Sequence, residues 1–158
     1  MTSLEERLAR VEDQLAIFQL ISAYGPAVDA GMTGAAVSQW ARDGVYSVDG
    51  IGEYRGPREL AELFDAELHQ RYIHTGSAHV NSLPHVLIDG DRAVATNYQQ
   101  LYIWSGKDAR VMRSVATRWE FVRTADGWKV ETRTNALLDG RDVGRSLLAR
   151  ANEPPQNA

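Results

Sequence analysis

The sequence predicts an α+β domain in which a strongly curved antiparallel sheet wraps around helices and leaves a conical cavity between them. Three observations lead there. Apolar residues at helical three- and four-residue spacing dominate the N-terminal part of the chain, up to about Tyr72. From Ala78 onward, alternating apolar and polar residues separated by Asp-Gly and Asp-Gly-Asp turns mark one strand after another. Those strands run to about ten residues, longer than the usual five or six, so their twist must accumulate and the sheet must coil over the helices. Helices first and strands afterwards is the order of an α+β fold.

The elements follow in order. Ser3-Leu4-Glu5-Glu6 has the spacing of a capping box, in which serine and glutamate satisfy each other's free amides, so a helix starts there. Leu4, Leu8, Val11, Leu15, Phe18 and Tyr24, together with Ile17 and Ile21, draw an apolar stripe to about Val28. Gly25-Pro26 should kink the helix before Asp29, because proline lacks an amide and crowds the preceding turn. A short helix over Ala35 to Ala41 would turn Val37 and Trp40 to the core. Val45 to Val48 and Glu53-Tyr54 read as a hairpin around Asp49-Gly50. Gly56-Pro57 opens another helix that buries Leu60, Leu63, Phe64, Leu68 and Tyr72 and ends before Gly76. The meander then comprises Ala78 to Ile88, Ala93 to Trp104, Val111 to Arg123 and Trp128 to Leu138.

Length and composition bound the function. A chain of 158 residues makes one ordinary domain, here expected over residues 1–140, followed by a C-terminal extension, 141–158, whose Pro-rich end should fray. Hydrophobic residues at 44% and charged residues at 24% suit a soluble globular protein, and no apolar run approaches the roughly 20 residues of a membrane span. The charged N-terminus does not resemble a secretory signal, which makes a cytoplasmic location the default expectation. With no cysteine, thiolate catalysis and disulfide frameworks are excluded. A net charge of −4 without a basic stripe argues against nucleic acid as a partner.

The candidate site centres on His79. Side chains alternate along a strand, so His79, Asn81, Leu83, His85 and Leu87 should share a face, and if that face is concave the His79 imidazole lies in an apolar cavity. It needs a carboxylate to hold its tautomer and steady its charged form. Asp29, at the end of an apolar helix, is the candidate; spacing alone better suits an aspartate that binds nearby loop amides. Tyr24 could donate its phenolic proton to a substrate oxygen or belong simply to the core stripe. Arg133 and Asn135 are expected on the strand face opposite Val130, lining the cavity, although Arg133 would equally suit the outer surface. Trp40, Tyr46 and Tyr54 supply candidate aromatic walls that could as well be plain core. The histidines lack metal-binding spacing, so no metal is expected, and His69 and His74 carry no assigned role.

The stretches AYGPAVDAG, DGVYSVDGIGEYRGPREL, HVNSLPHVLIDGDRAVATNY and GWKVETRTNALLDG, in this order, resemble the SnoaL-like branch of the nuclear transport factor 2-like superfamily, over about Leu4 to Gly140. The pattern is most similar to scytalone dehydratase, bile acid 7α-dehydratase and hexachlorocyclohexane dehydrochlorinase. The resemblance implies an α+β barrel, or cystatin-like roll, and a cofactor-free lyase acting on a small hydrophobic cyclic substrate. It implies that Asp29 and His79 remove a proton as a pair while Tyr24 assists the leaving oxygen. A basic residue that the dehydrochlorinase uses near the place of Tyr24 is missing, which favours dehydration over dehalogenation. The superfamily also hosts isomerases, polyketide cyclases and non-catalytic binding or dimerisation domains. Similar proteins are dimers or trimers, so a homo-oligomer is expected, with Tyr98, Gln100, Tyr102 and Trp104 offering an outer sheet face.

Overall fold

A computed structural model describes residues 2–156. The first helix, α1, runs over Leu4–Asp29 and starts with the capping box: the Ser3 Oγ accepts from the Glu6 amide at 3.1 Å, and the Ser3 amide donates to Glu6 Oε2 at 2.7 Å. The helix is continuous through Pro26, where the sequence suggested a kink. Its apolar stripe divides in two. Ile17, Ile21, Tyr24 and Val28 are buried against the sheet, whereas Leu4, Leu8, Val11 and Leu15 are 76, 55, 54 and 56% exposed. Periodicity reports that a helix face is apolar, not that something covers it.

Two short helical elements differ from expectation. α2 spans only Thr33–Val37, and Trp40 instead begins β1, Trp40–Val48. The hairpin to β2, Gly52–Arg55, turns at Gly50, whose φ of 76° suits glycine. The single helix anticipated after Gly56 is two, α3 over Gly56–Asp65 and α4 over Glu67–Thr75, separated by the extended Ala66. Asp65, the last residue of α3, accepts the Thr33 hydroxyl at 2.5 Å. Leu68, expected in the core, is therefore half exposed.

The remaining strands are β3, Ser77–Asn81; β4, His85–Asp89; β5, Arg92–Ser105; β6, Asp108–Thr124; and β7, Gly127–Leu137. They form one sheet in the order β2-β1-β7-β6-β5-β3, with β4 also on β5. β3 and β4 follow each other along one edge of β5, broken where Pro84 removes an amide. The uniform face expected from His79 to Leu87 is thereby interrupted, and Leu83 and His85 are exposed. The sheet is mixed rather than wholly antiparallel, because β1 pairs with β7 in parallel. Two bulges bend it. Leu101 faces Arg113 while Tyr102 faces Val111, leaving Met112 extra, and Glu120 faces Thr132 while Phe121 faces Val130, leaving Glu131 extra.

α1 lies across the concave face, where its side chains meet Trp119, Phe121, Trp128 and Val130 of the sheet. Asp13 fixes the crossing: its carboxylate accepts two bonds from Arg123 at 2.7 Å and one from the Trp128 indole at 2.9 Å. Removing these charge-assisted bonds by Asp13→Ala is expected to cost about 2 kcal/mol, read as a lower urea midpoint at neutral pH with an unchanged slope. On the convex face α5, Asp142–Ala149, packs Leu147 against Ala116 and Ala136. The buried Arg118 donates to the carbonyls of Arg150 and Glu153, at 2.9 and 3.3 Å, and Pro155 is buried. The segment expected to fray is thus held at its start; Asn157 and Ala158 lie outside the described residues. Among the described residues no helix is long and apolar enough to cross a membrane.

Candidate active site

Asp29 ends α1 and His79 lies in mid-β3, and the two meet. Asp29 Oδ1 accepts from the His79 ring at Nδ1, 2.7 Å away, and from the Ser77 hydroxyl at 2.8 Å; Oδ2 accepts the His79 backbone amide at 2.6 Å. Gly25 makes this possible. A β-carbon at that position would stand 2.3 Å from the His79 carbonyl oxygen, so only glycine lets helix and strand approach so closely. A carboxylate can only accept, so Nδ1 carries the proton and the neutral ring keeps its lone pair at Nε2. Burial pushes the Asp29 carboxyl up, but the His79 ring and backbone bonds, the attraction of His79 and the Ser77 bond outweigh it and hold the group below the ordinary carboxylate value.

His79 lines a cavity of about 390 Å³, within the range of small-molecule sites. Tyr24, Tyr46, Tyr54 and Asn135 line it as the sequence suggested, and Asn135 donates to the Tyr46 hydroxyl at 2.9 Å. Apolar side chains including Leu63, Phe64 and Leu101 make up most of the remaining wall. Tyr24 is the hub: its ring makes edge contacts with Trp40, Tyr46, Phe64, His79 and Trp119 at centroid distances of 5.9 to 6.4 Å. Burial pushes the Tyr24 phenol far up, so it stays protonated and is a donor at any working pH. Trp40, expected in the wall, stands behind Tyr24 and Tyr46 and does not reach the cavity.

Arg133 is also displaced from its expected place. The Glu131 bulge reverses the alternation of β7, so Arg133 shares the concave side with Val130 instead of opposing it. Its guanidinium is 0% exposed and lies over the rings of Tyr24, Trp119 and Tyr46 at 3.9, 4.1 and 4.5 Å. None of its three nitrogens has a hydrogen-bond partner among the described residues, so three aromatic faces supply its electrostatic compensation. It backs the cavity wall without lining it. Among the described residues no three His, Asp or Glu side chains converge as a metal site would require.

A family model for the SnoaL-like domain matches residues 9–134. The chain belongs to the SnoaL-like family. An NTF2-like protein with a cystatin-like fold from Novosphingobium aromaticivorans is 35% identical, superposes with a TM-score of 0.90, and is matched over 94% of this chain and 98% of its own. Two more distant structures share the SnoaL-like architecture. The hexachlorocyclohexane dehydrochlorinase LinA-type3 from Novosphingobium barchaimii is 21% identical, with a TM-score of 0.72 over 84% of this chain and 90% of its own. A protein from Catenulispora acidiphila in complex with S-DNPA is 21% identical, with a TM-score of 0.70 over 85% and 98%. At that identity they show the fold alone. No curated protein matches.

Sequence reasoning passed over two residues beside Asp29 and His79 in this SnoaL-like domain, of which His69 lines the cavity and Ser77 does not. Ser77 is one: an S-x-H pair on a strand shares a face, a signal that was available. His69 is the other, on the cavity side of α4 with its ring centroid 5.8 Å from that of His79. Nothing in its spacing pointed inward, because the break at Ala66 that aims it was not legible.

Proposed function

We propose that this SnoaL-like protein is a lyase that carries out a β-elimination of the dehydratase type, without a cofactor, on a small hydrophobic cyclic substrate. The observation that carries the proposal is the 2.7 Å bond from His79 Nδ1 to Asp29 on the wall of a largely apolar cavity. His79 takes the proton from carbon through Nε2, which faces away from Asp29. Asp29 holds the tautomer and stabilises the imidazolium that forms. Tyr24 donates its phenolic hydrogen to the departing oxygen, and the Arg133 guanidinium over its ring withdraws electron density and makes it a better donor. Asn135 and Tyr46 orient the substrate, and the apolar wall keeps out the water that would weaken each of these interactions. A dehydrochlorinase among the structures of the same architecture supports elimination chemistry on this scaffold.

The test is a panel of hydroxylated mono- and bicyclic compounds, followed by mass analysis of the products. Loss of one water from a panel member is expected, and His79→Gln is expected to lower kcat/KM by about 10²–10⁴-fold while the circular dichroism spectrum is kept. A product of unchanged mass would move the assignment to isomerisation. Equal turnover by the His79→Gln variant would end the proposal.

A further inference from the structure

The second imidazole in the cavity has a defined proton and an unused lone pair. His69 Nδ1 lies 2.7 Å from the Phe64 carbonyl, which the break at Ala66 leaves free at the end of α3 and which also accepts from Gln70 Nε2 at 3.1 Å. A carbonyl only accepts, so the proton of the neutral ring is on Nδ1 and Nε2 is an acceptor. No side chain or backbone group among the described residues donates to it. Burial, and after it the neighbouring His79, lower the His69 pKa against the opposing pull of the Phe64 bond, Asp29 and Asp65, so the ring is neutral near pH 7. Two imidazoles therefore present acceptor nitrogens to one cavity, 5.8 Å apart by ring centroid, close enough to reach a single ring of a ligand.

We infer that His69 is a specificity-determining residue, whose Nε2 accepts a hydrogen bond from a hydroxyl on the substrate that is retained through the reaction. The chemistry decides between the retained and departing oxygens. A hydroxyl that gives its hydrogen to a base becomes more electron-rich and leaves less readily, whereas a departing oxygen needs a donor, which is the place of Tyr24. The ligand class is thus an apolar cyclic compound bearing a phenolic or enolic hydroxyl. The polar wall residues Gln99, Arg113 and Asn135 donate elsewhere, to Asn81, the Asp49 carbonyl and Tyr46, which leaves His69 Nε2 to a ligand hydroxyl. This inference rests on the elimination proposed above for the identity of the departing group, but the recognition it describes needs no turnover.

Binding of 2-naphthol and 2-methoxynaphthalene, measured by calorimetry on the full chain, separates the two ideas. The wild type is expected to favour 2-naphthol about tenfold, the value of one hydrogen bond of about 1.4 kcal/mol. His69→Phe, which keeps an aromatic ring in place, is expected to lose that preference, and His79→Gln to retain it. Because His69→Phe could disturb α4, the wild type provides a second readout: in ¹⁵N-labelled protein the His69 Nε2 resonance has the unprotonated position and moves when 2-naphthol is added. Equal affinity for the two probes, a preference that survives His69→Phe, no binding of either probe, or a protonated His69 Nε2 would overturn the inference. A His69-dependent preference in a protein that dehydrates nothing would sink the elimination reading and leave this one standing.

Discussion

Asp29→Asn is expected to leave a folded protein whose turnover has fallen by about 10²–10⁴-fold. The carboxylate now accepts three bonds: from the His79 amide at Oδ2, and from the His79 ring and the Ser77 hydroxyl at Oδ1. An amide has one oxygen. If that oxygen keeps the backbone amide, the new NH₂ faces the imidazole, which can meet it only by moving its proton to Nε2. The nitrogen that faces the substrate then has no lone pair to offer. Nitrogen-15 shifts of the His79 ring read this tautomer change directly, and an unchanged Nδ1–H tautomer would refute the argument. Stability should fall by about 1–3 kcal/mol, as charge-assisted bonds are replaced by neutral ones. The pH dependence has a definite sign. The folded carboxyl lies below its unfolded value of about 3.9, so its contribution is complete above that pH and is lost as pH falls through the folded value. Urea titrations should therefore give a constant gap between wild type and Asp29→Asn above about pH 4 and a shrinking one below it.

Gly25→Ala is expected to destabilise the protein by about 2 kcal/mol and to lower turnover by about 10²-fold. At an ordinary helical position this change stabilises by about 0.5–1 kcal/mol, since alanine loses less backbone entropy. Here the new methyl would lie 2.3 Å from the His79 carbonyl oxygen, about 1 Å short of ordinary contact. Both partners are backbone, so no rotamer change relieves the clash, and β3 has to move away from α1. Asp29 is one helical turn further along, so the same displacement opens the Asp29–His79 bond. Denaturation midpoints give the first quantity, kcat/KM gives the second, and the His79 ring shifts report the opened bond. A variant more stable than the wild type would mean that the close approach of helix and strand is not rigid.

How much of this was legible in the sequence depended on the range of the interaction. The capping box at Ser3 and the turn at Asp49-Gly50 depend on a few neighbouring residues and were read correctly. The α+β class followed from the order of helical and strand periodicities, whereas the meeting of Asp29 with His79 came from the family resemblance; spacing alone favoured Asp29 as an ordinary loop binder. Three features were not readable, for different physical reasons. The parallel pairing of β1 with β7 joins segments far apart in the chain, which no local pattern encodes. The break at Ala66 is a single extended residue between two helices, with no glycine or proline beside it to mark it. The exposure of Leu4, Leu8, Val11 and Leu15 depends on where the sheet ends, not on the helix that bears them.

The extra residue at Glu131 sets the frame in which β7 is read. Side chains alternate along a strand, so one added residue exchanges inside for outside at every later position. That is why Arg133 and Asn135, rather than Thr132 and Thr134, stand with Tyr46 and Trp119. Point substitutions around the cavity can thus adjust its chemistry one side chain at a time. Deleting Glu131 itself would straighten the strand and leave Arg133 and Asn135 facing inward, whereas one residue added or removed between the bulge and Arg133 would exchange the whole wall that β7 contributes at once.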